Sequence, residues 1–132
     1  EVLKKGHGIC FAKSHLLVAL YRAIGTPSGF SYQKLALDDK NPQGRYYLHG
    51  LTAFYLEHHH RWFRLDPRGN KPGVEARFSL EKDCLPFSAR EDLGERDYLE
   101  VFSKPVSSVL TCLSSTRAWD WDALDEQLPK DL

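Results

Sequence analysis

Cys10 is the side chain with the most chemistry to offer. It stands in GHGICFAKSHLLVALYRAIG, residues 6–25, flanked by glycines and set directly ahead of an apolar, helix-like run. A thiol at the mouth of a helix lies beside unpaired backbone N–H groups and the positive end of the macrodipole. Such surroundings favour thiolate, the nucleophilic form. A cysteine that merely fills core space is the competing reading. A catalytic thiol needs a base within hydrogen-bond reach, and the base needs an acceptor to orient it. The chain offers His7, His15, His49, His58, His59 and His60. His15 lies five residues past Cys10, about 140° around a helix, and points elsewhere. His7 sits in the loop before the thiol, where nothing holds it rigidly. The triple histidine resembles a metal site at first sight, but successive side chains in a turn diverge, and no further ligand stands at the right spacing. It reads as a solvated turn, and neither a metal nor a cofactor is expected.

His49 differs because it lies inside a strand whose hairpin partner can supply the acceptor. RYYLHGLTAFYLE and RWFRLD read as two strands, rich in aromatic and β-branched residues. A two-residue turn at His58–His59 sets Asp66 opposite Leu51, on the face of His49 and one diagonal step away. Diagonal neighbours of this kind lie within reach of long or polar side chains. A three-residue turn puts Asp66 on the wrong face unless a bulge corrects it. An internal strand histidine can equally be structural, and Asp before Pro is a common turn opener. Tyr32 and Gln33 follow the helix–strand turn and are candidates for a substrate groove. Trp62 alternates onto the face of Arg64 and Asp66, where it could shield the pair from water; core packing is the alternative for all three.

Several elements must position these groups. Ala12, Leu16, Ala19, Leu20 and Ala23 recur at helical steps, widened by Leu17 and Ile24, and predict one buried face. Gly25 and Pro27 end the helix. GFSYQKLAL predicts a strand, DDKNPQG a turn, DPRGNKPG a loop and VEARFSL a further short strand. From Glu81 to Lys104 the chain reads as acidic and irregular. Pro105 suits the first position of a helix over VSSVLTCLSS. AWDWDALDEQLP has helical character, with Trp119 and Trp121 as anchors for a tail. A helix, then mostly antiparallel strands, then a helical tail is an α+β order.

The totals narrow the function classes. A chain of 132 residues with 42% hydrophobic and 27% charged residues fits one globular domain, residues 1–132, with a core over 6–80 and an acidic helical tail over 81–132. It starts at Glu1 and holds no methionine, which predicts a piece of a longer chain. Cys10, Cys84 and Cys112 fit no metal spacing and favour free thiols, with Cys84 and Cys112 structural, in a reducing, cytoplasmic setting. No apolar run reaches a membrane span, so no membrane association is expected. Net charge is zero, yet residues 1–80 carry 12 Lys/Arg against 6 Asp/Glu, while residues 89–132 carry 5 against 10. Such asymmetry steers anions or docks one half on the other. Without a basic cluster interleaved with aromatics, nucleic-acid binding is not expected.

GICFAKSHLLVALYRAIGTPSGF, LHGLTAFYLE and RWFRLDPRGN together resemble the transglutaminase-like superfamily, a set of papain-related cysteine enzymes, over about residues 6 to 70. Its pattern places a cysteine before a helix ending here in LYRAIGTP, a histidine on a strand, and a following strand that closes here on WFRLDP. The resemblance implies a papain-like core with Cys10 as nucleophile, His49 as general base and Asp66 as the orienting acid. It implies acyl transfer through a thioester, with the Cys10 backbone N–H in the oxyanion hole and a protein, peptide or small amide as substrate. Hydrolysis and transfer to an amine both remain open. So do two other readings: an arylamine acetyltransferase-like enzyme using acetyl-CoA, and a catalytically inactive interaction domain of the same fold.

Overall fold

The computed structural model describes residues 1–38, 40, 44–70, 72–116 and 124–132, the side chains of residues 124 and 125 excepted. Helix α1 (Val2–Lys5) leads through Gly6 into α2 (Cys10–Ala23). Strands β1 (Ser28–Ala36), β2 (Tyr46–Leu56), β3 (Arg61–Leu65) and β4 (Arg96–Phe102) build one sheet of order β3-β2-β1-β4. Every pairing in it is antiparallel. Helices α3 (Ser107–Ser115) and α4 (Leu124–Gln127) follow. The architecture is α+β, with α2 packed on the sheet. None of the described helices is long and apolar enough to cross a membrane.

Helix α2 ends as expected, with Gly25 taking a left-handed φ of 82° that only glycine adopts without cost. Its buried face differs from the expected one. Phe11, Ser14 and Val18 are buried, whereas Leu20 and Ile24 are exposed. Ser14 explains the change. Its hydroxyl donates to the Gly50 carbonyl at 3.0 Å, and its own carbonyl accepts from the Thr52 hydroxyl at 3.3 Å. A small residue with a satisfied hydroxyl lets the helix come closer to β2 than a leucine stripe permits. Gly50 is the other half of that approach, because a Cβ there would lie 2.7 Å from Phe11 Cδ1. Gly50→Ala is expected to destabilise the protein by about 1–3 kcal/mol and to move Cys10 away from β2. Urea denaturation and the alkylation rate of Cys10 measure the two effects; an unchanged midpoint would contradict the close packing.

The hairpin register is the one the sequence spacing implies: Leu56 pairs with Arg61 and Thr52 with Leu65, so Asp66 follows on opposite Leu51. The turn itself is different. Glu57–His59 form a 3-10 turn and His60 closes it with φ 50°, making a four-residue connection that leaves the same register. The three histidines are exposed there.

Two strand expectations change. VEARFSL forms no strand beyond an isolated bridge at Val74. Its backbone groups turn to side chains instead: Ala76 N donates to Asn70 Oδ1 at 2.6 Å, and Arg61 donates to the Leu80 and Glu81 carbonyls. The stretch read as irregular, Glu81 to Lys104, contains β4, which pairs with β1. As an edge strand β4 keeps Leu99 in solvent at 73% exposure, and its charged residues hid its alternation. The segment after Phe102 starts α3 at Ser107 with Val106 as N-cap, two residues later than the Pro105 start. Val106 N donates to the Tyr32 hydroxyl at 3.3 Å. Val109 and Cys112 of α3 then join Phe11, Val18, Phe30 and Leu48 in one core. Trp119 and Trp121 lie outside the described residues.

The C-terminal residues lie against the sheet. Leu48 N donates to the Pro129 carbonyl at 2.6 Å, beyond the part of β2 that β3 pairs. Lys34 bonds Asp131 at 2.8 Å, and the Tyr98 hydroxyl donates to the same carboxylate.

Candidate active site

Cys10 is the first residue of α2, with Ile9 as N-cap. Its N–H therefore has no acceptor within the helix, and the macrodipole's positive end lies at the thiol. The thiol is half-buried and free of any disulfide. Cys10 and His49 line one cavity of about 340 Å³ together with Gly8, Ile9, Lys13, Tyr47, Arg68, Phe87 and Leu128.

His49 stands on β2 and reaches Asp66, just past the end of β3, through Nε2 to Oδ2 at 2.8 Å. Both side chains are nearly sealed from water, at 6% and 0% exposure. With Nε2 engaged, Nδ1 is the ring nitrogen left to serve the thiol. Burial pulls the His49 pKa down, but hydrogen bonds to Asp66 and Cys10, with the charges behind them, outweigh it and raise it to about 9. The second Asp66 oxygen, Oδ1, accepts Arg68 N at 2.9 Å. The aspartate is thus both the turn opener and the partner of the histidine, two roles that looked like alternatives from sequence. Phe87 and Tyr47 meet the imidazole edge-on, with centroids 5.4 and 6.4 Å away, and fix its plane.

The groove residues expected from sequence sit elsewhere. Tyr32, Gln33 and Trp62 are not among the residues lining the cavity. Tyr32 is core, in one cluster with Phe11 and Leu48; burial pushes its phenol up, and Cys10 adds to that rise. Gln33 pairs directly across from His49 and donates to the Phe87 carbonyl at 3.2 Å, so it supports a wall of the cavity from behind. Trp62 is 42% exposed and packs on Tyr55 at the far end of the hairpin. It shares a strand face with Asp66, but three residues, Phe63 to Leu65, separate them. His15 tucks its ring against Phe30, and burial lowers its pKa.

Lys13, Tyr47, Arg68, Phe87 and Leu128 are the site residues that sequence reasoning passed over. Lys13 had a usable signal, since it stands one helical turn after Cys10. Arg68 had a weaker one in following Asp66. Phe87 had none: its place depends on Gln33 and on the Arg64–Asp83 pair, 2.8 Å apart, that anchors its segment.

This geometry can deliver a nucleophile, a proton shuttle and an orienting carboxylate to one cavity. Compared with known proteins, residues 1–67 match the sequence pattern of the transglutaminase-like superfamily. No curated protein and no solved structure matches the chain.

Proposed function

Because the chain belongs to the transglutaminase-like superfamily, we propose that it is a cysteine-dependent acyl-transfer enzyme with a papain-like arrangement of Cys10, His49 and Asp66. The observation that carries this reading is the buried 2.8 Å His49–Asp66 bond opening onto the same cavity as Cys10. Cys10 Sγ attacks the carbonyl carbon of an amide or ester, forming an S–C bond. The oxyanion is met by the Cys10 N–H at the helix start. The C–N or C–O bond breaks, and its electron pair leaves on an amine or alcohol that takes the His49 proton. Water, or a second amine, then attacks the thioester, gives a proton to His49 and releases the thiolate, which restores the starting pair. Asp66 keeps the imidazole in place through both halves.

Incubation with p-nitrophenyl acetate tests the reading. A rapid release of nitrophenol with one acetyl group on Cys10, absent in Cys10→Ala, is expected. Equal rates in the two proteins would remove the enzyme and leave a non-catalytic domain. Adding a primary amine separates hydrolysis from transfer by the product formed. Acetyl-CoA is expected not to acylate Cys10; if it does, the acetyltransferase reading replaces this one.

A further inference from the structure

We propose that the acyl group this site accepts carries an anion, a carboxylate or phosphate at the end of a short apolar chain, held by Lys13 and Arg68. The inference rests on the acyl-transfer reading and adds the substrate's chemistry to it. Lys13 and Arg68 line the same cavity as Cys10 and His49, and both are only partly exposed. Neither forms an ion pair among the described residues, whereas Arg64, Arg90 and Lys34 all do. A half-buried cation left without a counter-charge carries a free-energy cost that a bound anion would relieve.

Both cations stand beside the thiol, and Arg68 is held there. Lys13 follows Cys10 by one turn on the same helix face, and its stem passes 3.8 Å from the position a Cβ on Gly8 would take. Arg68 is tethered by its backbone N–H to Asp66 Oδ1 at 2.9 Å, and its guanidinium lies 5.0 Å over the Phe87 ring. The carboxylate that orients the histidine therefore also sets the arginine. Among the described residues no carboxylate lines the cavity, and Asp66 is committed to His49 and to the Arg68 backbone. Ile9, Tyr47, Phe87 and Leu128 give the space between the charges apolar walls. At about 340 Å³ it is near the small end of ligand sites, the size of an acyl chain or a side chain and not of a folded segment. The basic excess of residues 1–80 adds long-range attraction for an anion.

Two thiol reagents of almost equal size, iodoacetate and iodoacetamide, differ in the charge at issue. The ratio of their rates at Cys10 is compared with the same ratio for N-acetylcysteine. It is expected to be at least about tenfold higher in the protein, to fall about threefold in each of Lys13→Gln and Arg68→Gln, and to shrink with added salt. Circular dichroism of each variant sets its folded fraction, because unfolded protein would draw the ratio toward that of N-acetylcysteine. Protection of Cys10 from iodoacetate by glutarate, or by inorganic phosphate, then tells which anion fits. A ratio equal to that of N-acetylcysteine, or one unchanged in the double variant, overturns the proposal while leaving a fast iodoacetamide reaction as support for the enzyme. Slow reaction with both reagents, indifferent to His49→Ala, overturns the acyl-transfer reading and this inference with it.

Discussion

Alkylation of Cys10 by iodoacetamide is expected to slow about a hundredfold near pH 6 when His49 is replaced by alanine. The size follows from protonation. An unassisted thiol with a pKa of ~8.5 is only roughly 0.3% thiolate at pH 6, so pairing with an imidazolium can raise the reactive fraction by up to about 300-fold. The lower nucleophilicity of a less basic thiolate takes back part of that gain. In the native protein the imidazolium persists to about pH 9, since Asp66 and Cys10 outweigh the cost of burying it. The wild-type rate is therefore expected to stay high through neutral pH and to change again only as His49 loses its proton near that value. The variant should follow the single rise of a simple thiol. A wild-type profile that already follows that rise would mean that the pair does not activate the cysteine.

Asp66→Ala is expected to cost about 3–5 kcal/mol of stability at pH 6 and to reduce acyl transfer by about two to four orders of magnitude. The carboxylate is fully buried and bonds the His49 ring at 2.8 Å. Removing it leaves the imidazolium with Cys10 in place of a carboxylate to compensate it, or forces the ring to fold as the neutral form. The pH dependence separates these contributions. His49 has a folded-state pKa of about 9 against roughly 6.5 unfolded. Its protonation thus stabilises the native state fully below pH ~6.5, and that stability is lost as pH rises through about 9. The penalty of Asp66→Ala should accordingly shrink between those limits. A residue of about 1 kcal/mol should remain at the alkaline end, because Asp66 Oδ1 also accepts Arg68 N. Urea denaturation at a series of pH values measures this. A penalty that is constant with pH would show that the aspartate serves only the turn.

The parts of this protein that were legible in its sequence rest on short-range rules. A cysteine that follows two glycines and opens a 14-residue helix, closed by Gly25, put the thiol at a helix start through local backbone preferences. The distance from His49 to Asp66 around a short hairpin set both side chains on one face, because side chains alternate along a strand. That register survived an error in the turn, since a four-residue turn and a two-residue turn of the same centre leave the strands paired identically. What tertiary structure alone decided involves partners far apart in the chain. Ser14 displaced the leucines from the buried face because Gly50, 36 positions on, offered an acceptor and room. Residues Arg96–Phe102 became a strand because β1 had an open edge, which their own composition did not announce. Lys13, Arg68, Phe87 and Leu128 meet around Cys10 only once the sheet, the Gln33 and Asp83 contacts and the C-terminal strap are in place. The sequence by itself thus determined where Cys10, His49 and Asp66 stand in the fold, each placed by neighbours in the chain. The cavity's walls and charges come from contacts between segments tens of residues apart, and those contacts exist only after loop closure has been offset by the burial of the common core.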